Sequence, residues 1–310
     1  MTTTTLAIDF GTTNTYVSLC AADNTNVEGI KFDGTHPEMP TEILYSDKPD
    51  ADKNVFPIIG KRAAETYTEW DTDERVENQC RYRAIFKPDI VKSADAKKCA
   101  VDFLKSLLRD AKKNNTPLNP LDCRVFFGVP AEAKEEYRSM LTQIANEAGF
   151  GSVELVEEPK GAMFSDLGHG TLFSFENMLQ GYFVIDFGGG TCDFAFFQNG
   201  VIKHSWGDMH LGGRLLDDLF WQWFSEENPD TAEKLIQTGE DFYFRTVNCR
   251  ELKEWFSNTI TGNPDYNGKK KVGDTEIFFP NPVNLVEKFL TGFTELTGWS
   301  FGWGNLFVMC

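Results

Sequence analysis

Three carboxylates and two Gly/Thr turns carry the chemical signal of this sequence. Gly181–Asp193 reads Gly-Tyr-Phe-Val-Ile-Asp-Phe-Gly-Gly-Gly-Thr-Cys-Asp. The apolar run Tyr182–Phe187 is rich in β-branched and aromatic residues, which predicts a buried strand carrying one carboxylate, Asp186, near its end. Gly188, Gly189 and Gly190 follow, each costing about 0.5–1 kcal/mol of chain entropy relative to alanine. A turn requires one such residue. Three imply that backbone N–H groups come close to a guest, and phosphate is the usual guest of such a nest. Thr191 adds a hydroxyl and Asp193 a second acid. Alone, the stretch would pass for a tight hairpin with a solvated aspartate. It is not alone: Ile8–Asn14 repeats it, with Ile-Asp-Phe-Gly identical, Asp9 in the place of Asp186, and Gly11, Thr12 and Thr13 in the turn. Each copy is followed by another apolar run, Tyr16–Cys20 and Phe194–Phe197. Two related halves, each offering a loop and an acid, imply a cleft that takes a charged ligand.

Strands and helices alternate around these turns. Ala96, Cys99, Ala100, Phe103, Leu104, Leu107, Leu108 and Ala111 keep helical spacing, predicting a helix over Asp95–Lys112 with its acid first and its lysines last. Cys123–Val129 reads as a buried strand. Pro130 is placed to open a helix whose core face is Tyr137, Met140, Leu141, Ile144, Ala145 and Ala148, and Gly149 ends it. Short strands are expected at Glu42–Tyr45, Phe56–Ile59, Val153–Val156, Val201–Trp206 and Glu276–Phe279. Helices are expected at Ala63–Trp70, Lys160–Leu167, Asn248–Ser257 and Leu285–Leu296, and after Leu211-Gly212-Gly213. Glu69–Gln79 reads as an acidic surface excursion and Asn263–Gly273 as a polar, basic loop; Gly298–Cys310 receives no element. Strands alternating with helices indicate an α/β fold.

With 310 residues, 41% hydrophobic and 25% charged, the chain has room for two domains. A net charge of −17 argues against a nucleic-acid or membrane surface as partner. An acidic chain can still hold a nucleotide through backbone N–H groups and a divalent cation such as Mg2+. Seven cysteines without a Cys-x-x-Cys pair read as free thiols in a reducing, cytoplasmic setting. The four histidines lack zinc-ligand spacing, the N-terminus lacks a signal-peptide pattern, and no apolar run reaches 18 residues.

These residues resemble the nucleotide-binding domain of the 70-kilodalton heat-shock chaperones, within the actin, hexokinase and heat-shock ATPase superfamily. Ala7–Thr15 is similar to that family's first phosphate loop and Phe183–Asp193 to its second. Gly128-Val129-Pro130-Ala131 and Glu157-Glu158-Pro159 are similar to its connecting segments, which read Val-Pro-Ala and Asn-Glu-Pro. Leu211-Gly212-Gly213 with Asp217 resembles the start of the upper lobe of the second half, and Cys249–Ser257 the helix beside the adenosine. The resemblance implies an actin-like ATPase fold: two ribonuclease-H-like halves around a nucleotide cleft. The first lobe would span 1–172, with an insertion at about 37–110, and the second 173–310, with an upper subdomain at about 213–293 and a truncated closing segment. It implies ATP/ADP and Mg2+ as ligands, with Asp9 and Asp186 holding the metal and its waters. Gly11, Thr12, Thr13, Gly188, Gly189 and Gly190 would face the phosphates and Thr191 the γ-phosphate. Glu158 and Asp193 would position the attacking water, and Gly212, Gly213, Lys253 and Ser257 would sit at the nucleoside. A co-chaperone or an assembly partner is implied as the protein partner.

The sequence departs from the family at three places. Where the family has a lysine that supports hydrolysis, the aligned residue is Ala64, with Lys61 and Arg62 nearby as substitutes; slow turnover is expected from this. Arg250 stands where the adenosine helix has an acid. Residues 290–310 carry no Gly-Gly-x-x-x-x-Pro adenosine loop, so similar micromolar affinities for ATP and GTP are expected. Beside a slow ATPase stand two alternatives, a degenerate pseudo-ATPase serving as a scaffold and a filament-forming actin relative. A sugar kinase lacks a candidate acid for its sugar hydroxyl.

Overall fold

The computed structural model describes residues 4–22, 27–32, 36–49, 53–113, 119–162, 181–199, 201–208, 211–263, 268–272 and 275–279. The chain forms two compact units, Met1–Met209 and His210–Cys310. The expected lobe boundary at 172/173 and the helix and tail expected beyond 280 lie outside the described residues.

In the first unit β1 (Thr5–Phe10) turns back antiparallel into β2 (Asn14–Cys20), pairing Asp9 with Tyr16. Leu6, Ile8 and Phe10 are buried; Ala7 and Asp9 alternate to the opposite side, as period-2 geometry requires. β3 (Glu28–Gly29) and β4 (Glu38–Pro40) add to β2. A second sheet in the order β6-β5-β7 follows, built from β5 (Glu42–Tyr45), β6 (Ile58–Ile59) and β7 (Arg81–Ala84). Between β6 and β7 lie α1 (Lys61–Glu69) and α2 (Thr72–Glu77). The acidic excursion is thus largely a helix, started by an Asp71–Glu74 capping box.

α3 (Ala94–Lys113) lies where the apolar spacing predicts it, burying Ala96, Cys99, Ala100, Phe103, Leu104, Leu107 and Ala111. It feeds β8 (Arg124–Val129), which runs parallel to β1. α4 (Glu135–Ala148) then crosses to β9 (Val153–Glu157), parallel to β8. The sheet order is β3-β2-β1-β8-β9. α3 and α4 share one apolar core with Leu6, Ile8, Phe10, Val125, Phe127 and Val129. Gly149 stops α4 in the left-handed conformation at φ 102°. Pro130 does not open this helix. Residues 130–134 form a turn, and the Ala131 N–H donates to the Asp193 carboxylate at 3.1 Å instead of starting a helical ladder.

The second hairpin, β10 (Tyr182–Phe187) and β11 (Cys192–Gln198), repeats the first, with Asp186 opposite Asp193. β12 (Val201–Asp208) completes this three-stranded antiparallel sheet. On one face Ala195 and Phe197 pack with Tyr182, Val184 and Ile202; Phe183, Phe194 and Trp206 stack elsewhere on the sheet.

The second unit carries helices Gly213–Glu227, Pro229–Thr238 and Cys249–Gly262, with a single π turn at Phe244–Asn248. Leu219, Phe220, Trp223, Phe224, Phe244 and Phe256 are buried there. The expected basic loop contains a strand, β13 (Gly268–Val272), paired antiparallel with β14 (Thr275–Phe279). Lysines tolerate the strand because they find partners. Lys269 pairs with Glu276 at 2.8 Å, and Lys270 lies 5.3 Å from the Trp255 ring centroid. Among the described residues no helix is long and apolar enough to cross a membrane.

Candidate nucleotide site

In the first unit the two Gly/Thr turns meet. A Cβ built on Gly189 would overlap the Thr13 hydroxyl, and one on Gly190 would lie 2.6 Å from Thr12 Oγ1. Glycine is required here because the loops approach backbone to side chain. A Cβ on Gly11 would likewise overlap the Asn14 carbonyl. The Gly188 N–H is used inside the turn, donating to the Thr191 carbonyl at 2.9 Å. The first loop is braced by Thr41, whose N–H donates to the Thr13 carbonyl at 2.7 Å and whose hydroxyl donates to the Gly11 carbonyl at 2.9 Å.

Four carboxylates gather beside these turns. Asp9 and Asp186 occupy the same place in their hairpins, one residue before the end of the first strand. Gly128 on β8 separates two of the acids: a Cβ there would stand 3.3 Å from Glu158 Cγ and 3.7 Å from Asp9 Oδ1. Asp193 is almost fully buried, accepting from the Ala131 N–H at 3.1 Å and from the Thr191 hydroxyl at 3.3 Å. The single hydroxyl proton of Thr191 is therefore given to Asp193 here, and donating to a ligand oxygen means leaving that bond.

Lys87 is the cation of this cluster, and the sequence reading missed it. Its Nζ lies 3.1 Å from Glu158 Oε1, with the two side chains 7% and 14% exposed. Burial alone would lower the Lys87 pKa; the charges of Glu158, Tyr137 and Asp9 outweigh it and hold the ammonium above its usual range. The residue arrives by a strained bend. Ile85, just past β7, has φ 58°, a left-handed conformation that disfavours a β-branched residue by about 1–2 kcal/mol. The short turn Lys87–Asp89 follows at once. The signal in the sequence is a lysine set among apolar residues in Ile85-Phe86-Lys87-Pro88, which no periodicity picks out. Lys61 and Arg62 lie on the exposed surface of α1, Lys61 paired with Glu65 at 3.5 Å.

Dehydration dominates the three aspartates. Burial pushes Asp9 up to about 6, Lys87 opposing the shift and Glu158 and Asp186 adding to it. Asp186 also rises to about 6, through burial first and then Glu158 and Asp193. Asp193 is raised by burial and Glu158 against its hydrogen bonds. Among the described residues, four acids and one ammonium leave an excess of negative charge that a divalent cation would relieve. Among the described residues no three His, Cys, Asp or Glu side chains are placed to ligate one ion directly. A hydrated divalent cation, which keeps several of its waters, asks for only one or two carboxylates.

In the second unit Gly212 and Gly213 open a helix. Lys253 Nζ lies 2.8 Å from Asp217 Oδ1 and 3.4 Å from the Gly213 carbonyl, and Ser257 follows one turn later. Arg250, in the place of the expected acid, adds its positive charge to that of Lys253 near Asp217.

No family model matches the chain. It is 25% identical over 247 residues to a chaperone protein HscA homolog of Rickettsia typhi, a match covering 74% of this chain and 40% of the relative. The chain thus spans less than half the length of that curated relative. Among solved structures it is similar to MreB5 of Spiroplasma citri bound to AMPPNP (TM-score 0.64, 19% identity). MreB5 of the same organism bound to ADP is similar too (TM-score 0.63, 20% identity). Each comparison covers 96% of this chain and 77% of the MreB5 chain. A mixed sheet of parallel and antiparallel strands, a hairpin used twice, and these structural matches over most of its length give the chain the actin-like ATPase fold.

Proposed function

We propose that the chain is an ATP-binding module that hydrolyses ATP with Mg2+, its lobes opening and closing with nucleotide state. One observation carries this reading: the interlocked Gly/Thr turns stand beside four carboxylates and a buried lysine. Phosphoryl transfer asks a protein mainly for position and charge. The N–H groups of Gly189 and Gly190 and the hydroxyls of Thr12 and Thr13 suit phosphate oxygens, and Thr191 would join them by turning its proton from Asp193 to the γ-phosphate. Glu158 and Asp193 suit the attacking water as acceptors. Lys87 aims Glu158 through its 3.1 Å contact, and the Ala131 N–H aims Asp193. Asp9 and Asp186 would hold Mg2+ through its waters, and the ion would neutralise phosphate charge. Gly212, Gly213, Lys253 and Ser257 would face the nucleoside. The lobes are those drawn from the sequence, 1–172 and 173–310.

Calorimetry with Mg-ATP and Mg-GTP, followed by phosphate release from Mg-ATP, tests the reading. Absence of binding to either nucleotide rejects it in favour of the scaffold alternative. The 96% coverage by MreB5 structures supports a second reading, a filament-forming module, as the chaperone relative supports a heat-shock type. ATP-dependent sedimentation separates them: a filament pellets with Mg-ATP and a chaperone module stays in the supernatant.

A further inference from the structure

A cavity of the first unit, about 400 Å³, shares no lining residue with the carboxylate cluster. Its size falls among small-molecule sites. Phe32, Met39, Phe56, Pro57 and Trp70 supply an apolar wall. Its charged lining runs against the chain as a whole. The sequence has 47 acids to 30 Lys and Arg. The cavity has Lys48, Lys61, Arg62 and Arg109 against Glu38 and Asp110.

Two of these cations are already occupied. Lys61 pairs with Glu65, and Arg109 pairs with Asp110 at 2.8 Å while donating to the Pro57 carbonyl at 3.0 Å. Lys48 and Arg62 have no carboxylate partner among the described residues. The Lys48 ammonium is lodged 4.5 Å from the Trp70 ring centroid, which sets a positive charge against the aromatic wall. An apolar recess flanked by two cations that have no carboxylate partner among the described residues is complementary to a molecule that is apolar at one end and anionic at the other.

We propose that this cavity binds a small amphipathic anion, one carboxylate, sulfonate or phosphate ester on an aromatic or acyl body. The body packs on Phe56 and Trp70 and the anion meets Lys48 and Arg62. This assignment does not depend on the nucleotide reading.

The test uses the full chain and two fluorescent probes sharing one body, 1-anilinonaphthalene-8-sulfonate and the uncharged N-phenyl-1-naphthylamine. Saturable binding of the sulfonate at one site is expected, with Lys48→Glu and Arg62→Glu each weakening it about tenfold. Both side chains are exposed, so melting temperatures should hold. The uncharged probe should bind about tenfold more weakly and ignore both substitutions. Saturating Mg-ADP should leave the sulfonate in place. Equal affinity for the two probes, indifference to both substitutions, or displacement by Mg-ADP would each overturn the proposal.

Discussion

Lys87 and Glu158 form the buried ion pair on which the candidate site turns. Removing one partner of such a pair strands the other charge, at a cost of about 3–5 kcal/mol. Lys87→Met should therefore destabilise strongly, and Lys87→Met with Glu158→Gln should recover much of the loss. Urea denaturation of the three variants measures both. Under the proposed function, Asp186→Ala should lower Mg-ATP turnover at least about tenfold, equivalent to about 1.4 kcal/mol. On the same proposal Ala64→Lys should leave turnover unchanged, Lys87 serving as the site's cation from a different place in the sequence. Asp9 and Asp186 set a pH dependence of known sign. Their folded values, about 6, lie above the ordinary 3.8, so between those limits the folded state binds more protons than the unfolded one. Their contribution to stability then falls as pH rises through that window and is restored on acidification. Metal-free protein with Asp186→Asn should lose part of that slope and melt higher than wild type at pH 7, as calorimetric melting would reveal.

At the scale of elements, α3 and α4 hold the sheet that carries Asp9 and Gly128. Phe103, fully buried between α3 and the sheet residue Phe10, lies 6.0 Å from the Phe10 ring, and Phe103→Ala should cost about 3–5 kcal/mol. Gly149→Ala should cost about 1 kcal/mol through its left-handed φ alone, since the nearest atom to an added Cβ is 3.9 Å away. Both values are accessible to denaturant titration. α3 and the repeated hairpin were legible because a single period or an identical motif specifies each. The start of α4 was not, because a side chain 62 residues later takes the Ala131 N–H. β13 was not, because Gly-Lys-Lys-Lys-Val has no apolar alternation and the strand depends on Glu276 and Trp255. Lys87 escaped for the same reason: its role is set by a bend at Ile85 and an acid 71 positions away. The acids and glycines were legible because their chemistry is carried by their types and spacing.

For the whole molecule, the consequence of the proposed function is linkage. A nucleotide that binds only the folded chain stabilises it by about 2.7 kcal/mol at a hundredfold excess over its Kd. Mg-ADP should raise the melting temperature accordingly, and Asp9→Asn should diminish that rise; an unchanged melt at millimolar Mg-ADP would count against nucleotide binding.

The interlock of the two turns also has an evolutionary reading. Gly189 lies against Thr13 and Gly190 against Thr12, so each glycine admits the branched hydroxyl facing it. Neither turn is free to change alone. A lineage that gains a side chain at position 189 must first shorten the one at position 13, so substitutions at the two sites should arrive in a fixed order. In the laboratory, Gly189→Ala should disrupt the fold of the loops unless combined with Thr13→Gly. The partner change should rescue the melting temperature, and the history of the pair can be read as a dependence between two positions that lie far apart in the chain.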